Sequence, residues 1–152
     1  MAYRGKYKVK KPEKYEGDFT NVVYRSLWER QFFRWCEAND EDNNNVIRWS
    51  SETVVIPYRC KTDNKMHRYF MDCKVKFKNG KTYLIEIKPE CQVLPPVKGK
   101  KRKDKFLKEV LTYGKNQSKW EQAEKYAKNR GWEFRIFTEK TLKSLGIRLL
   151  NT

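Results

Sequence analysis

Asp72 and the run Glu86-Ile87-Lys88 are the residues best placed to do chemistry in this chain. Tyr69 to Phe77 alternates apolar and polar residues, as does Tyr83 to Lys88, and Asn79-Gly80 between them is a turn dipeptide. A two-residue loop would pair Lys78 with Lys81 and put Asp72, Lys74 and Lys76 on a face with Ile85 and Ile87. A three-residue loop, Lys78-Asn79-Gly80 with Gly80 left-handed, pairs Phe77 with Lys81 instead. Met71, Cys73, Val75, Phe77, Tyr83, Ile85 and Ile87 then share one face. The hydrophobic pattern selects this second register, because a slip of one residue sends every side chain of a strand to the other side. In it Asp72 lies opposite Glu86, and Lys88 lies opposite Phe70, diagonal to Asp72.

Like charges facing each other destabilise a sheet. Lys88 offsets part of the repulsion, and a divalent cation would offset more. Mg²⁺ takes oxygen ligands, typically one or two carboxylates with waters and substrate phosphate. The plainer reading is a solvated face on which Asp72, Lys74, Glu86 and Lys88 pair loosely, since exposed pairs contribute little. A third carboxylate bears on the choice. Tyr24 to Asn39 reads as an amphipathic helix with Ser26 as N-cap and Glu29 at the capping-box position. Phe32, Phe33 and Cys36 follow Glu29 at i+3, i+4 and i+7, so Glu29 sits at the edge of the inward face. A carboxylate there needs a partner. Capping its own helix, or pairing with Arg25, are its simplest uses.

The elements that must hold these groups are spread along the whole chain. Residues 1 to 20 are Lys- and Tyr-rich without a period and read as a basic arm or a strap over the fold. A single domain is expected over residues 21–152. The polar run Asn39 to Asn45 is a loop. Trp49 to Tyr58 holds a strand, strongest at Thr53 to Ile56 and stopped by Pro57. The two hairpin strands come next, and Pro89 ends the second. Glu90 to Val97 is a loop beside the acidic residues, with Glu90 and Gln92 near enough to modify them. A short helix over Asp104–Tyr113 ends at Gly114. A second, Gln117 to Arg130, carries Trp120, Ala123 and Ala127 and stops at Gly131. Trp132 to Thr138 is a strand, and Lys140 to Leu145 a last helical turn. The pattern is α/β: helix, three strands, helix, strand.

With 152 residues, the chain has the size of one domain with a modest core. A net charge of +16 and a mean hydropathy of −0.99 mark a wet, basic surface suited to nucleic acid. No apolar run is long enough to span a membrane, and no signal peptide is visible. Cys36, Cys60, Cys73 and Cys91 form no CxxC pair, and His67 is the one histidine, which leaves little for zinc. Reduced, buried thiols are the plain expectation for Cys36 and Cys73. The tract Lys98, Lys100, Lys101, Arg102, Lys103 and Lys105 is a candidate phosphate clamp, and Gln117 and Lys119 on the following helix are further candidates. A solvated tract, or one facing an acidic protein, is the alternative. Nothing reads as a helix-turn-helix, zinc finger or RNA-binding signature, so base readout is not the main task.

Arg25-Ser26-Leu27-Trp28-Glu29, Tyr69-Phe70-Met71-Asp72 and Glu86-Ile87-Lys88 together resemble the PD-(D/E)xK nuclease superfamily. Within it the chain is most similar to the branch that includes the endonuclease subunit of Tn7-type transposition and the head completion nucleases of tailed phages. The resemblance runs from about Tyr24 to Thr138. Met71 stands where the superfamily's name has proline. The resemblance implies a restriction-endonuclease-like αβββαβ core, a central mixed sheet flanked by helices. It implies Mg²⁺, with Mn²⁺ able to substitute, held by Asp72, Glu86, the Ile87 carbonyl and Glu29, with Lys88 beside the attacking water. One or two metal ions, and endo- or exonucleolytic cutting, both satisfy it. Gln122 and Tyr126 match a Gln-x-x-x-Tyr spacing of some such nucleases, which helix packing explains equally well. The implied substrate is double-stranded DNA, cut to leave 5′-phosphate and 3′-hydroxyl ends. The implied setting is phage head completion before head–tail joining, beside head or neck proteins, in the host cytoplasm or the virion. A non-catalytic head or neck DNA-binding protein, and a transposition or repair endonuclease, are the rival classes.

Overall fold

Alternating segments and one long amphipathic stretch become strands and helices in the computed structural model, which describes residues 4–38 and 45–150. The run Asn39 to Asn44, most of the expected polar loop, lies outside the described residues. In chain order the elements are β1 (Gly5–Tyr7), a 3₁₀ turn (Pro12–Lys14), β2 (Val22–Tyr24), α1 (Leu27–Glu37), β3 (Val46–Ser51), β4 (Val55–Cys60), β5 (Lys65–Phe70) and β6 (Cys73–Phe77). There follow β7 (Thr82–Ile87), α2 (Glu90–Val93), α3 (Lys103–Asn129), β8 (Glu133–Phe137) and α4 (Glu139–Ser144).

The central sheet has the order β3-β6-β7-β8, with β6 antiparallel to β3 and β7, and β8 parallel to β7. A parallel pair needs a crossover, and α3 supplies it. Helices α1 and α3 cover opposite faces. Phe32, Phe33 and Cys36 of α1 pack with Cys73, Val75, Ile85 and Ile87. Trp120, Ala123 and Ala127 of α3 pack with Ile56, Tyr58, Tyr69, Met71 and Leu84. The αβββαβ order and the mixed sheet are those expected.

The hairpin register is also the expected one. Cys73 pairs with Ile85 and Val75 with Tyr83. The Phe77 N–H donates to the Lys81 carbonyl at 2.9 Å, and Gly80 has φ 87°, which glycine adopts without strain.

Tyr69 to Phe77, however, is not one strand. The chain bends at Met71-Asp72, and β5 pairs with β4 rather than with β7. Phe70, expected opposite Lys88, pairs with Val55. The partner strand bends at the same level: the Glu52 N–H donates to the Met71 carbonyl (3.1 Å), the Met71 N–H donates to the Val54 carbonyl (2.9 Å), and Glu52 sits at φ 56°. The bend changes which layer the side chains enter. Tyr69 and Met71 join the α3 cluster while Cys73 and Val75 join the α1 cluster, so the apolar residues do not share one face.

Three more expectations change. Pro57 does not stop its strand but lies within β4, exposed and opposite Arg68. Strand β4 pairs on one side only, so a missing N–H on its free edge costs no ladder bond. The helix expected from Tyr24 begins at Leu27, because Val22–Tyr24 pairs with β1. The two helices expected on either side of Gly114 are one helix, α3. Gly114 serves contact here: a Cβ on it would lie 3.1 Å from the Thr62 methyl in the β4–β5 turn.

Residues 5–15 strap the fold. Tyr7, Val9 and Tyr15 enter the α1 core around Trp49. The buried Glu37 carboxylate accepts from the Tyr7 hydroxyl (2.5 Å) and from the Lys10 and Lys11 N–H groups (2.8 and 2.7 Å).

Candidate active site

One cleft of about 460 Å³ opens where the bent ribbon leaves the central sheet, lined by Arg25, Glu29, Glu52, Arg68, Tyr69, Phe70, Asp72, Glu86, Ile87, Lys88 and Lys119. Glu29 comes from the first turn of α1. Its N–H donates to the Ser26 cap hydroxyl (3.2 Å), and its own carboxylate accepts from the Arg25 N–H (3.1 Å). Helix capping thus holds this side chain over the helix end, at the cleft. Asp72 sits in the bend, outside any strand, and accepts from the Ile87 N–H at 2.8 Å. Glu86 lies on central strand β7 and is 6% exposed. The Tyr69 hydroxyl donates to one of its oxygens (2.7 Å), and the Lys88 Nζ lies 3.6 Å from the other. Lys119 reaches in from α3, its Nζ 5.4 Å from the centre of the Tyr69 ring.

The electrostatics are those of crowded carboxylates. Burial raises Glu29 to about 7; Glu52 and Glu86 push the same way, and the Arg25 N–H opposes them. Burial first, then the charges of Glu86 and Glu29, hold Asp72 well above the usual carboxylate range. Its surface keeps partial access to the cleft while packed protein surrounds the rest of it. Burial, and then Glu86, raise the Tyr69 phenol. Burial lowers Lys119, which the charge of Glu86 partly offsets. Among the described residues neither Glu29 nor Asp72 has a cation at ion-pair distance. Lys74, a candidate partner of Asp72, pairs with Glu16 at 2.9 Å and lies over the Trp132 ring. A divalent cation fits this donor set, because the donors are hard oxygens and two of them, on Glu29 and Asp72, have no cation within ion-pair distance among the described residues.

The structure therefore brings Glu29, Asp72, Glu86, Ile87, Lys88 and Lys119 to one cleft. Lys98, Lys100, Lys101, Arg102, Lys103, Lys105 and Gln117 do not line it. Lys101 and Lys105 border a second groove with Leu94, Pro95, Pro96 and Val97, and Lys101 pairs with Glu109 at 2.7 Å. Tyr126 packs against Trp132 and under the Arg130 guanidinium, and Glu90 pairs with Lys140. Sequence reasoning missed Glu52, Arg68 and Tyr69 as cleft residues, and saw Arg25 only as a partner for Glu29. Arg25 holds Glu52 by two contacts, 2.6 and 3.2 Å. The one signal for Glu52 was an acidic residue in a polar break between two apolar strands.

A four-stranded mixed sheet thus lies between two helices, with an acidic cleft at the bend. The chain belongs to the TnsA-like endonuclease N-terminal family, whose sequence model matches residues 43–139. That span runs from β3 to β8 and leaves Glu29 upstream. The chain is 43% identical to the head completion nuclease of Enterobacteria phage T4 over 152 residues, covering 97% of this chain and 99% of that protein. No solved structure matches the chain at a significant level. Among the described residues no helix is long and apolar enough to cross a membrane.

Proposed function

We propose that this protein is a Mg²⁺-dependent deoxyribonuclease of the PD-(D/E)xK type that acts in phage head completion, trimming packaged double-stranded DNA before head–tail joining. The observation that carries the reading is the meeting of Glu29 from a helix, Asp72 from a strand bend and Glu86 from the central strand in one cleft, with Lys88 beside Glu86. The T4 relative's name, and its identity along the whole chain, support the setting.

Each residue has a task under this reading. Asp72 and Glu86 would be the principal residues to hold the metal, with Glu29 beside them. The Ile87 N–H aims Asp72, and the Tyr69 hydroxyl aims Glu86. Bound Mg²⁺ supplies a more acidic water and stabilises charge developing at phosphorus. Lys88 stands where it can orient the attacking water and offset phosphate charge. Arg25, Arg68 and Lys119 hold the flanking phosphates. Water oxygen bonds to phosphorus as the 3′ oxygen leaves, which gives 5′-phosphate and 3′-hydroxyl ends.

Purified protein should nick and linearise plasmid DNA in Mg²⁺ or Mn²⁺ and stop on chelation. Asp72→Asn should lower the rate by roughly a thousandfold or more, as expected when charge stabilisation is lost from the reacting centre. Equal cutting by wild type and Asp72→Asn defeats the assignment.

A further inference from the structure

The β4–β5 hairpin carries, at its turn, a second group of metal-ligating side chains that the cleft does not use. One ligand atom from each of Cys60, Asp63 and His67 lies within 4.8 Å of the other two. The local fold explains the grouping. Tyr58 pairs with His67 and Cys60 with Lys65, so Cys60 and His67 are diagonal neighbours on one face of the ribbon. The Asn64 N–H donates to the Cys60 carbonyl at 2.7 Å, and Asn64 adopts φ 57°, which folds the turn and its Asp63 back toward that face.

We infer that this turn is a metal site distinct from the acidic cleft, holding one Zn²⁺ between the Cys60 thiolate, the Asp63 carboxylate and the His67 imidazole. Tetrahedral zinc, with bonds of about 2.0–2.3 Å, spaces its ligand atoms roughly 3.2–3.8 Å apart, so the 2.7 Å Asp63–His67 pair would open slightly while the wider contacts of the group draw in. Thiolate and imidazole favour zinc over magnesium, the reverse of the all-oxygen cleft. Supporting contacts are in place. The Thr62 hydroxyl lies 3.0 Å from the Cys60 sulfur, the Lys65 N–H donates to Asp63 at 2.9 Å, and the Tyr58 ring stacks on His67 with centroids 5.6 Å apart. An Asp63–His67 pair at 2.7 Å and core packing of the buried Cys60 would each stand without a metal; what points to one is that all three ligand atoms lie within reach of one another. Among the described residues no fourth His, Cys, Asp or Glu joins the group, so water completes the coordination.

The site has a place in the molecule. His67 directly precedes Arg68 and Tyr69, which line the cleft, and the Lys61 N–H donates to Ser118 Oγ on α3 at 3.2 Å. A metal there staples the outer end of the ribbon whose inner end holds Asp72.

The test is Co²⁺ and Zn²⁺ titration of the full chain in excess Mg²⁺, read by the thiolate-to-cobalt absorption band and by its displacement with Zn²⁺. Wild type should show the band at one equivalent, and Cys91→Ser, which removes the exposed thiol, should keep it. Cys60→Ser should lose it. His67→Gln, at a surface position that does not endanger folding, should weaken Zn²⁺ binding by roughly a hundredfold, since even outer partners of a ligand are worth about 10- to 100-fold. No band in wild type, a band that survives Cys60→Ser, or unchanged affinity in His67→Gln overturns the site. DNA cleavage is not the readout, so the fate of this site and that of the nuclease reading are separable.

Discussion

At the scale of single residues, the buried carboxyl groups of the cleft make stability depend on pH. Between the ordinary glutamate value, about 4.3, and about 7 the folded protein keeps a proton on Glu29 that the unfolded chain has released. Stability from this group is therefore complete below the lower value and is lost as pH rises through the upper one. Asp72, raised by burial and by its neighbours, acts in the same direction. Chelated protein should lose thermal stability as pH rises from 5 to 8. Glu29→Gln should flatten that slope, the Glu29 share being roughly 3 kcal/mol at most at about 1.4 kcal/mol per unit. Added Mg²⁺ should do the same for wild type. An equally steep slope in Glu29→Gln would mean that other groups carry it. Tyr69 makes a second case. Its hydroxyl is bonded to the buried Glu86, so Tyr69→Phe should cost about 1.5–3 kcal/mol, the range for a hydrogen bond to a charged group. It should also slow cleavage while leaving DNA affinity unchanged, which separate rate and binding measurements would reveal.

At the scale of elements the bent ribbon matters most. Strands β3 and β6 belong to the central sheet; their continuations β4 and β5 leave it to pack on α3. Helix α3 lies close to the ribbon's turn at Gly114, where an added Cβ would press on the Thr62 methyl. Gly114→Ala brings a gain in helix propensity of about 1 kcal/mol and, against it, a tight contact with the Thr62 methyl. In the wild-type background the two effects should nearly cancel. In a Thr62→Ser background, which keeps the hydroxyl and removes the methyl, the same change should stabilise by nearly the full amount. Chemical denaturation of the four proteins measures the difference; strict additivity would show that the contact is unimportant.

At the scale of the whole molecule, a net charge of +16 drives association with any polyanion, and the question is where the phosphates lie. The cleft brings together four carboxylates and four cations, so the surplus charge lies elsewhere, including the exposed tract before and into α3. If that tract clamps DNA, replacing Lys103 and Lys105 by Gln should reduce the salt dependence of binding by roughly 2 units of log–log slope, at about 0.9 per phosphate contact. Binding measured with chelator present, in an Asp72→Asn background chosen to silence the proposed activity, measures it. An unchanged slope places the phosphates elsewhere.

The chain's own pattern determined the β6–β7 register, because only a three-residue loop put Cys73, Val75, Tyr83 and Ile85 on a common side. It also determined the Ser26 cap, and with it the place of Glu29, because N-cap chemistry is local. The bend at Met71-Asp72 was beyond it: alternation continues through that point with no glycine or proline to mark a break. Tertiary structure decided it, since apolar partners wait on both sides of the sheet, Trp120 and Ala123 for Met71 and Phe33 for Cys73. The same holds for the unbroken α3, where space beside Thr62 outweighs glycine's weak helix propensity, and for Pro57, tolerated on an edge that only the assembled ribbon defines. Short-range chemistry can be read along a chain, whereas the side of a sheet that a residue enters depends on partners distant in sequence.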